Sequence, residues 1–185
     1  MDTAPDFIGV VIGFRQFRVI GSGLWSTHAA HRWHEGEHTA VCLSSRPHDE
    51  PVPAKGCTCG FYARYRPYPR AASMTHELVN GAVAMWGRIE LHAHGMRAEH
   101  ASVVAVALPF SHGDKRQRTR AAAAALGIPA VPARHLIAAT ADHGHLIPAE
   151  MQPPDVMPNK RKAPGPHRDA RLNAVADGVG HRRRS

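Results

Sequence analysis

Cysteine is scarce in this sequence, and long apolar runs are absent. The 185 residues contain three cysteines, all within one stretch: Cys42, Cys57 and Cys59. No apolar run approaches the roughly 20 residues that a membrane-spanning helix needs. Residues 1–12 carry two aspartates and no basic residue, unlike a secretory signal. We therefore expect a cytoplasmic protein that contacts no membrane, with reduced thiols that favour metal binding over disulfides.

Lysine is also rare, with 4 residues against 19 arginines, although the net charge is +8. Residues 152–185 account for +5 of this charge, and the remaining 151 residues for only +3. The abundance of arginine, alanine, proline and glycine is typical of a GC-rich genome. The basic character therefore lies mostly in the C-terminal tail, and the folded part is nearly balanced.

Signatures of common enzyme classes are missing. The sequence has no Gly-rich phosphate loop, no G-x-S-x-G elbow, no H-E-x-x-H motif and no HNH-like spacing. The deaminase pattern H-x-E…P-C-x-x-C is absent as well. Because no complete catalytic constellation is visible, we expect a non-enzymatic protein.

The cysteines share their stretch with one histidine in the spacing C-x5-H-x8-C-x-C. Cys3His is a common closed ligand set for structural zinc. The proline-bearing segment between the ligands has little apolar surface, so a bound metal would order it. We predict a structural Zn²⁺ at Cys42, His48, Cys57 and Cys59, with His38 as the alternative fourth ligand. The competing interpretation is three buried cysteines that simply pack.

Strand patterns dominate the first hundred residues, and helical patterns follow them. Strands are predicted at 10–20, 24–26, 39–43, 79–91 and 96–108, and helices at 114–126 and 132–143. The predicted fold is α+β, with a small, bent, mostly antiparallel sheet or partial barrel, a zinc-stapled loop and two short helices. We expect a β-rich domain at 1–112, a helical segment packed on it at 113–150, and a disordered basic tail at 151–185.

Several motifs together resemble an uncharacterised family of small proteins from actinobacteria and their phages. They are GFRQFRV (13–19), LWS (24–26), Cys42, His48 with Pro51-x-Pro53, GCTCGFYA (56–63), GAVAMWGRIELHAHGMRAEHA (81–101), LGIPAVP (126–132) and HG-x-x-IPAEMQP (143–153). The resemblance covers most of residues 10–153 and implies a phage or actinobacterial origin, but no activity. The histidine-rich insert at 28–38 and the long basic tail depart from the family pattern.

Two groups are candidates for nucleic-acid binding. They are Tyr65, Arg66, Tyr68 and Arg70 in an extended segment, and Lys115, Arg116, Arg118 and Arg120 on the first helix. Each cation could neutralise a phosphate, and the tail runs 160–162 and 182–184 add to this set. The competing interpretation is a solubilising helix and a compositional tail. Other large aromatic residues could also stack with bases, but most of them are better explained as core: Trp25, Trp33, Trp86, Phe14, Phe17, Phe61 and Tyr62.

A charged cluster is predicted on the hairpin between the two long strands. If His94-Gly95 forms a two-residue turn, His92 faces Arg97 and Glu90 faces Glu99. Glu90, His92 and Glu99 would then be the catalytic residues of an alternative function, metal-dependent hydrolysis. The interpretation favoured here is a solvated face on which arginines bridge the acids.

Four histidines at 28, 31, 34 and 38 would share one helical face, but Gly36 and the flanking strand signals favour a polar surface loop. The sequence therefore predicts a zinc-stabilised binding module that contacts nucleic acid or a nucleoprotein complex. A metal-dependent hydrolase and a protein–protein adaptor or phage structural component are the alternatives.

Overall fold

The computed structural model describes residues 9–44, 48–69, 78–110 and 113–155, all within one compact unit. Nine strands form one mixed sheet in this part of the chain. The strands are β1 (Val11–Ile20), β2 (Gly23–Ser26), β3 (Arg32–Trp33), β4 (His38–Thr39), β5 (Phe61–Ala63), β6 (Leu78–His92), β7 (Gly95–Leu108), β8 (Ala130–Pro132) and β9 (His145–Leu146). One α-helix, α1 (Asp114–Ala125), follows β7.

The sheet has the order β3-β2-β1-β6-β7-β4, and it is not closed. The pairs along this order are antiparallel, whereas β8 joins β7 and β9 joins β1 in parallel. β5 pairs with β7, and a single bridge between Phe14 and Arg64 connects the following residue to β1. The predicted β-rich fold with a mostly antiparallel sheet is confirmed in a coarser form, as a mixed sheet that is not closed.

Apolar side chains pack on both faces of the sheet. One face carries Phe17, Leu24 and Trp33 and is covered by α1 through Ala122, Ala123 and Leu126. The other face carries Ile12, Phe14 and the small residues of β6 and β7, and is covered by Leu136. Alternating residues of β1 thus serve two cores, as expected for a strand buried on both sides.

The second predicted helix is wrong. Residues 130–132 form β8, and two short 3-10 turns follow at Ala133–His135 and Ala138–Thr140. A further 3-10 turn lies at Ala149–Met151. The physical reason is tertiary: the pairing of β8 with β7 fixes the chain up to Pro132, and the 3-10 turns that follow place Leu136 in the second core.

The long hairpin formed by β6 and β7 has nearly the predicted extent, but its two strands pair in a different register. Its turn lies at Ala93-His94, because Gly95 already belongs to β7 and pairs with His92. Register shifts occur between Ala82 and Val83 and between Trp86 and Ile89, next to Gly81 and Gly87. No helix in the described residues is long and apolar enough to cross a bilayer.

Candidate metal centre

The four predicted ligands converge although they come from three separate places in the chain. One ligand atom from each of Cys42, His48, Cys57 and Cys59 lies within 4.8 Å of all the others. Cys42 follows β4, His48 begins the loop over 48–60, and the two remaining cysteines lie just before β5. Among the described residues this is the one His/Cys/Asp/Glu group that could hold a metal ion.

The distances within the cluster describe free thiols around a shared centre. The sulfurs of Cys42 and Cys57 are 3.7 Å apart, far longer than a disulfide bond of about 2.05 Å. The Nε2 atom of His48 lies 3.3 Å from the sulfur of Cys59. Three sulfurs and one imidazole nitrogen therefore face one another. Packing alone does not require this arrangement, because Cys42 and Cys57 are only partly buried.

A neighbouring carbonyl fixes the orientation of the histidine ring. Nδ1 of His48 lies 2.9 Å from the carbonyl oxygen of Glu50. A carbonyl only accepts hydrogen bonds, so Nδ1 must carry the proton, which leaves Nε2 free to bind a metal. Ligating histidines commonly have such a second partner.

The thiols differ in their electrostatic surroundings. A hydrogen bond from the Cys59 backbone is the main cause that lowers the pKa of Cys57 to about 7. Burial raises the pKa of Cys59, whose sulfur also accepts a hydrogen bond from the Ala54 backbone N–H at 3.5 Å. A bound cation would stabilise the thiolate form that metal ligands require.

The Arg97 side chain stabilises the 48–60 loop through hydrogen bonds. The sequence did not indicate this role. Its side chain is 3% exposed and donates hydrogen bonds to the carbonyl oxygens of Ala54, Cys57 and Cys59. Nε of the same guanidinium donates to Glu90 at 3.0 Å. Burial by itself would lower the pKa of Arg97, but the bond to Glu90 and its charge hold it above the usual value. The Arg97 guanidinium thus connects three carbonyl groups of the 48–60 loop, called the metal loop below, to the hairpin.

The hairpin cluster differs from the predicted arrangement, because the turn lies one residue earlier and each cross-strand partner therefore changes by two residues. Arg97, not Glu99, lies opposite Glu90, so the two glutamates do not face each other. Glu99 instead accepts a hydrogen bond from the backbone N–H of Arg88 at 3.2 Å, within the bulge after Trp86. His92 remains 3.6 Å from Glu90. The acids are therefore bridged by neighbouring cations and backbone donors.

His38 lies outside the metal cluster, because both of its ring nitrogens have other contacts. Nδ1 lies 3.1 Å from Nε2 of His31, and Nε2 contacts the backbone of His34. The predicted polar surface loop is wrong at its centre, since Trp33 and His38 are buried and Trp33 belongs to the core. Burial lowers the pKa of His31 and of His38. His28 is exposed.

The residues predicted to bind nucleic acid have varied surroundings. In the extended segment, Tyr65 is buried and donates a hydrogen bond to the His92 carbonyl at 2.7 Å, so its ring is not available for stacking. Arg66 is exposed, while the guanidinium of Arg64 lies 4.9 Å from the centre of the Tyr68 ring. Arg70 and the tail runs 160–162 and 182–184 lie outside the described residues.

The four predicted cationic residues of α1 differ in their exposure to solvent and in their contacts. Lys115 is half-buried, Arg116 donates to the Pro109 carbonyl at 3.0 Å, and Arg118 pairs with Asp114 at 2.8 Å. Arg120 is exposed. Arg120 and Arg66 therefore remain the described members of the predicted set with the greatest access to solvent.

No family model matches the chain, and no curated protein or solved structure is significantly similar to it. The resemblance to small actinobacterial and phage proteins is not tested by these comparisons and stays a prediction.

Proposed function

We propose that this protein is a non-enzymatic binding module whose 48–60 loop is held by a structural Zn²⁺ ion. The observation that carries the proposal is the convergence of one imidazole and three thiols within 4.8 Å. Zinc prefers this ligand set in structural sites, and four protein ligands leave no open position for a reacting water. The metal would neutralise the thiolates and cross-link Cys42 to the loop.

Two of the distances between ligand atoms are close to those of a tetrahedral zinc site. With Zn–S of about 2.3 Å and Zn–N of about 2.0 Å, tetrahedral ligands lie about 3.8 Å (S to S) and about 3.6 Å (S to N) apart. The corresponding distances here are 3.7 Å between the Cys42 and Cys57 sulfurs and 3.3 Å from His48 to Cys59. Three thiolates and Zn²⁺ carry one net negative charge, which the adjacent Arg97 guanidinium complements.

Nucleic acid, alone or in a nucleoprotein complex, is the partner that the charge supports. The chain has a net charge of +8, and Arg66 and Arg120 are exposed. Such binding should weaken steeply with salt, because phosphate contacts release counterions. Reduced thiols in the proposed zinc site are consistent with the reducing conditions of a cytoplasm.

Metal content tests the zinc proposal directly. Native mass spectrometry of the purified protein should show one zinc ion per chain. Cys57→Ser should abolish it, because the serine hydroxyl is a poor zinc ligand. Thr58→Ser is the matched control, since Thr58 is an exposed non-ligand between the two cysteines, and it should retain the ion. A folded, metal-free wild-type protein would contradict the proposal.

A protein–protein adaptor is the second candidate function. Val41 and Leu43 are 65% and 78% exposed and flank the ligand Cys42. Apolar side chains at such exposure are typical of contact surfaces when they cluster. A stable complex with a protein partner, without affinity for nucleic acid, would favour this function over the first. The hydrolase alternative has no comparable support, because Glu90 is neutralised by Arg97.

A further inference from the structure

Three neighbouring strands place an aromatic ring between two arginines on the face of the sheet opposite α1. Arg18 of β1 lies opposite Trp25 of β2, and Trp25 lies opposite Arg32 of β3. Residues paired in this way share one face of the sheet. The adjacent residues Leu24 and Trp33 are buried in the core on the other side. The Arg–Trp–Arg row, residues 18, 25 and 32, therefore points away from α1 and that core.

The row is accessible and its cations have no carboxylate partner in the described part of the chain. Arg18 and Arg32 are exposed, and Trp25 is half-buried. A Cβ atom added to Gly23 would lie 3.2 Å from Nε1 of Trp25 and 3.3 Å from Nε of Arg32. Because Gly23 has no side chain, the Trp25 ring and the Arg32 guanidinium can lie close to the backbone of β2.

The strands that form the row carry positive charges only. No acidic residue occurs between Asp6 and Glu35, a segment that spans β1, β2 and β3. Arg15 lies on the opposite face of β1, where its guanidinium contacts the rings of Phe17 and Trp33, so it is not part of the row. A polyanion approaching this face would meet cations without a competing carboxylate on these strands.

We propose that the Arg–Trp–Arg row is a binding surface for single-stranded nucleic acid. The inference rests on the proposed nucleic-acid function and names the surface that would perform it. An unpaired base can stack on the Trp25 ring, and its flanking phosphates can pair with Arg18 and Arg32. Bases within a duplex are already stacked on their neighbours, so a single strand fits this flat surface better.

Fluorescence anisotropy with a labelled oligo(dT) of about 15 nucleotides tests this surface, since a small single-strand binding domain covers ~4–16 nucleotides. Trp25→Ala should weaken binding about tenfold or more, the loss expected for one stacked base. Trp25→Phe should retain most of the affinity because it keeps an aromatic face. In the double variant R18A/R32A, the slope of log K against log salt should fall in magnitude by about 1.4, or ~0.7 per lost phosphate contact.

The controls separate this surface from the wider function. Arg134→Ala removes an exposed arginine from another part of the chain and should leave binding near the wild-type value. Equal melting temperatures for wild type and variants would show that no variant acts through unfolding. Binding by the wild type that Trp25→Ala and R18A/R32A leave unchanged would overturn the surface but preserve the proposed function. No binding of single- or double-stranded DNA by the wild type would overturn both.

Discussion

Arg97 shows how one side chain can organise a loop that has few regular backbone hydrogen bonds. Its guanidinium has five N–H donors in a planar fork, and here they serve Glu90 and the carbonyls of Ala54, Cys57 and Cys59. A buried cation is unfavourable without such partners. The loop and the strand therefore stabilise each other: the carbonyls compensate the charge, and the charge fixes the carbonyls.

We expect Arg97→Met to destabilise the zinc-loaded protein by about 1–3 kcal/mol, because the carbonyls of the loop lose their hydrogen-bond donor, whereas Glu90 is 41% exposed and stays solvated. Zinc affinity should fall about 10- to 100-fold, because groups behind the ligands orient them. Urea unfolding and competition with a chromophoric chelator measure the two effects. Arg97→Lys should have a stability and a zinc affinity between those of the wild type and Arg97→Met, because an ammonium group keeps the charge but lacks the planar fork.

The matched control is Arg88→Met on the same hairpin. Arg88 is exposed and reaches the loop through one hydrogen bond to the Pro51 carbonyl at 3.3 Å, so its loss should cost less than about 1 kcal/mol. If both arginine variants lost stability and zinc equally, the role assigned to Arg97 would be wrong.

At the scale of elements, Gly95 determines how β5 is attached to the long hairpin. A Cβ atom on Gly95 would lie 2.2 Å from the Ala63 carbonyl oxygen and 3.0 Å from the Arg64 Cα. Both are backbone atoms, which cannot rotate away. The glycine therefore permits the close approach of β5 to the beginning of β7.

Gly95→Ala should destabilise the protein by about 1–3 kcal/mol or more, the usual cost of overpacking. Without this contact, Gly95→Ala should stabilise the protein, because alanine is normally favoured over glycine within a strand by about 0.5–1 kcal/mol. Thermal unfolding of Gly95→Ala and of the control Gly113→Ala measures the difference. Nothing lies within 4 Å of a Cβ at Gly113, so the control should cost no more than about 1 kcal/mol for its helix-cap position. A stabilised Gly95→Ala would refute the close approach.

Gly95 also explains why the sequence predicts the extent of β6 and β7 but not the register of their hairpin. Long alternating and β-branched segments gave β6 and β7 to within one residue at each end. A glycine after histidine indicates either a turn or a close backbone contact, and sequence alone does not distinguish them. Because the glycine serves the contact with Ala63, the turn moves to Ala93-His94 and Glu90 meets Arg97.

The candidate site was more predictable than the elements around it. Ligand type and spacing identified all four residues, because zinc chemistry restricts donors to a few side chains. The role of Arg97 could not be predicted, since its carbonyl partners lie some forty residues away and any arginine in a strand gives the same local pattern. Trp33, by contrast, was assigned to the core from its large apolar ring, although the histidines around it predicted a surface loop.

At the scale of the whole molecule, the metal loop is separate from the two apolar cores. Most large side chains of the two cores come from β1, β2, β3, β6 and β7 and from the segments that cover the sheet. Within 48–60, only Pro53, Ala54 and Cys59 are buried. The loop therefore depends on the proposed zinc ion and on Arg97, whereas the sheet depends mainly on its own buried area.

Removal of zinc should accordingly loosen the loop and leave the sheet folded. Hydrogen exchange with and without a chelator should show faster exchange over residues 54–59, where the Cys57 N–H donates to the Ala54 carbonyl at 3.2 Å. Amides in the β1–β6 pairing should keep their protection, because local opening reflects local contacts. Readdition of Zn²⁺ should restore the loop. Loss of protection over the whole sheet on chelation would instead mean that the ion stabilises the global fold, as in small zinc domains that unfold without metal.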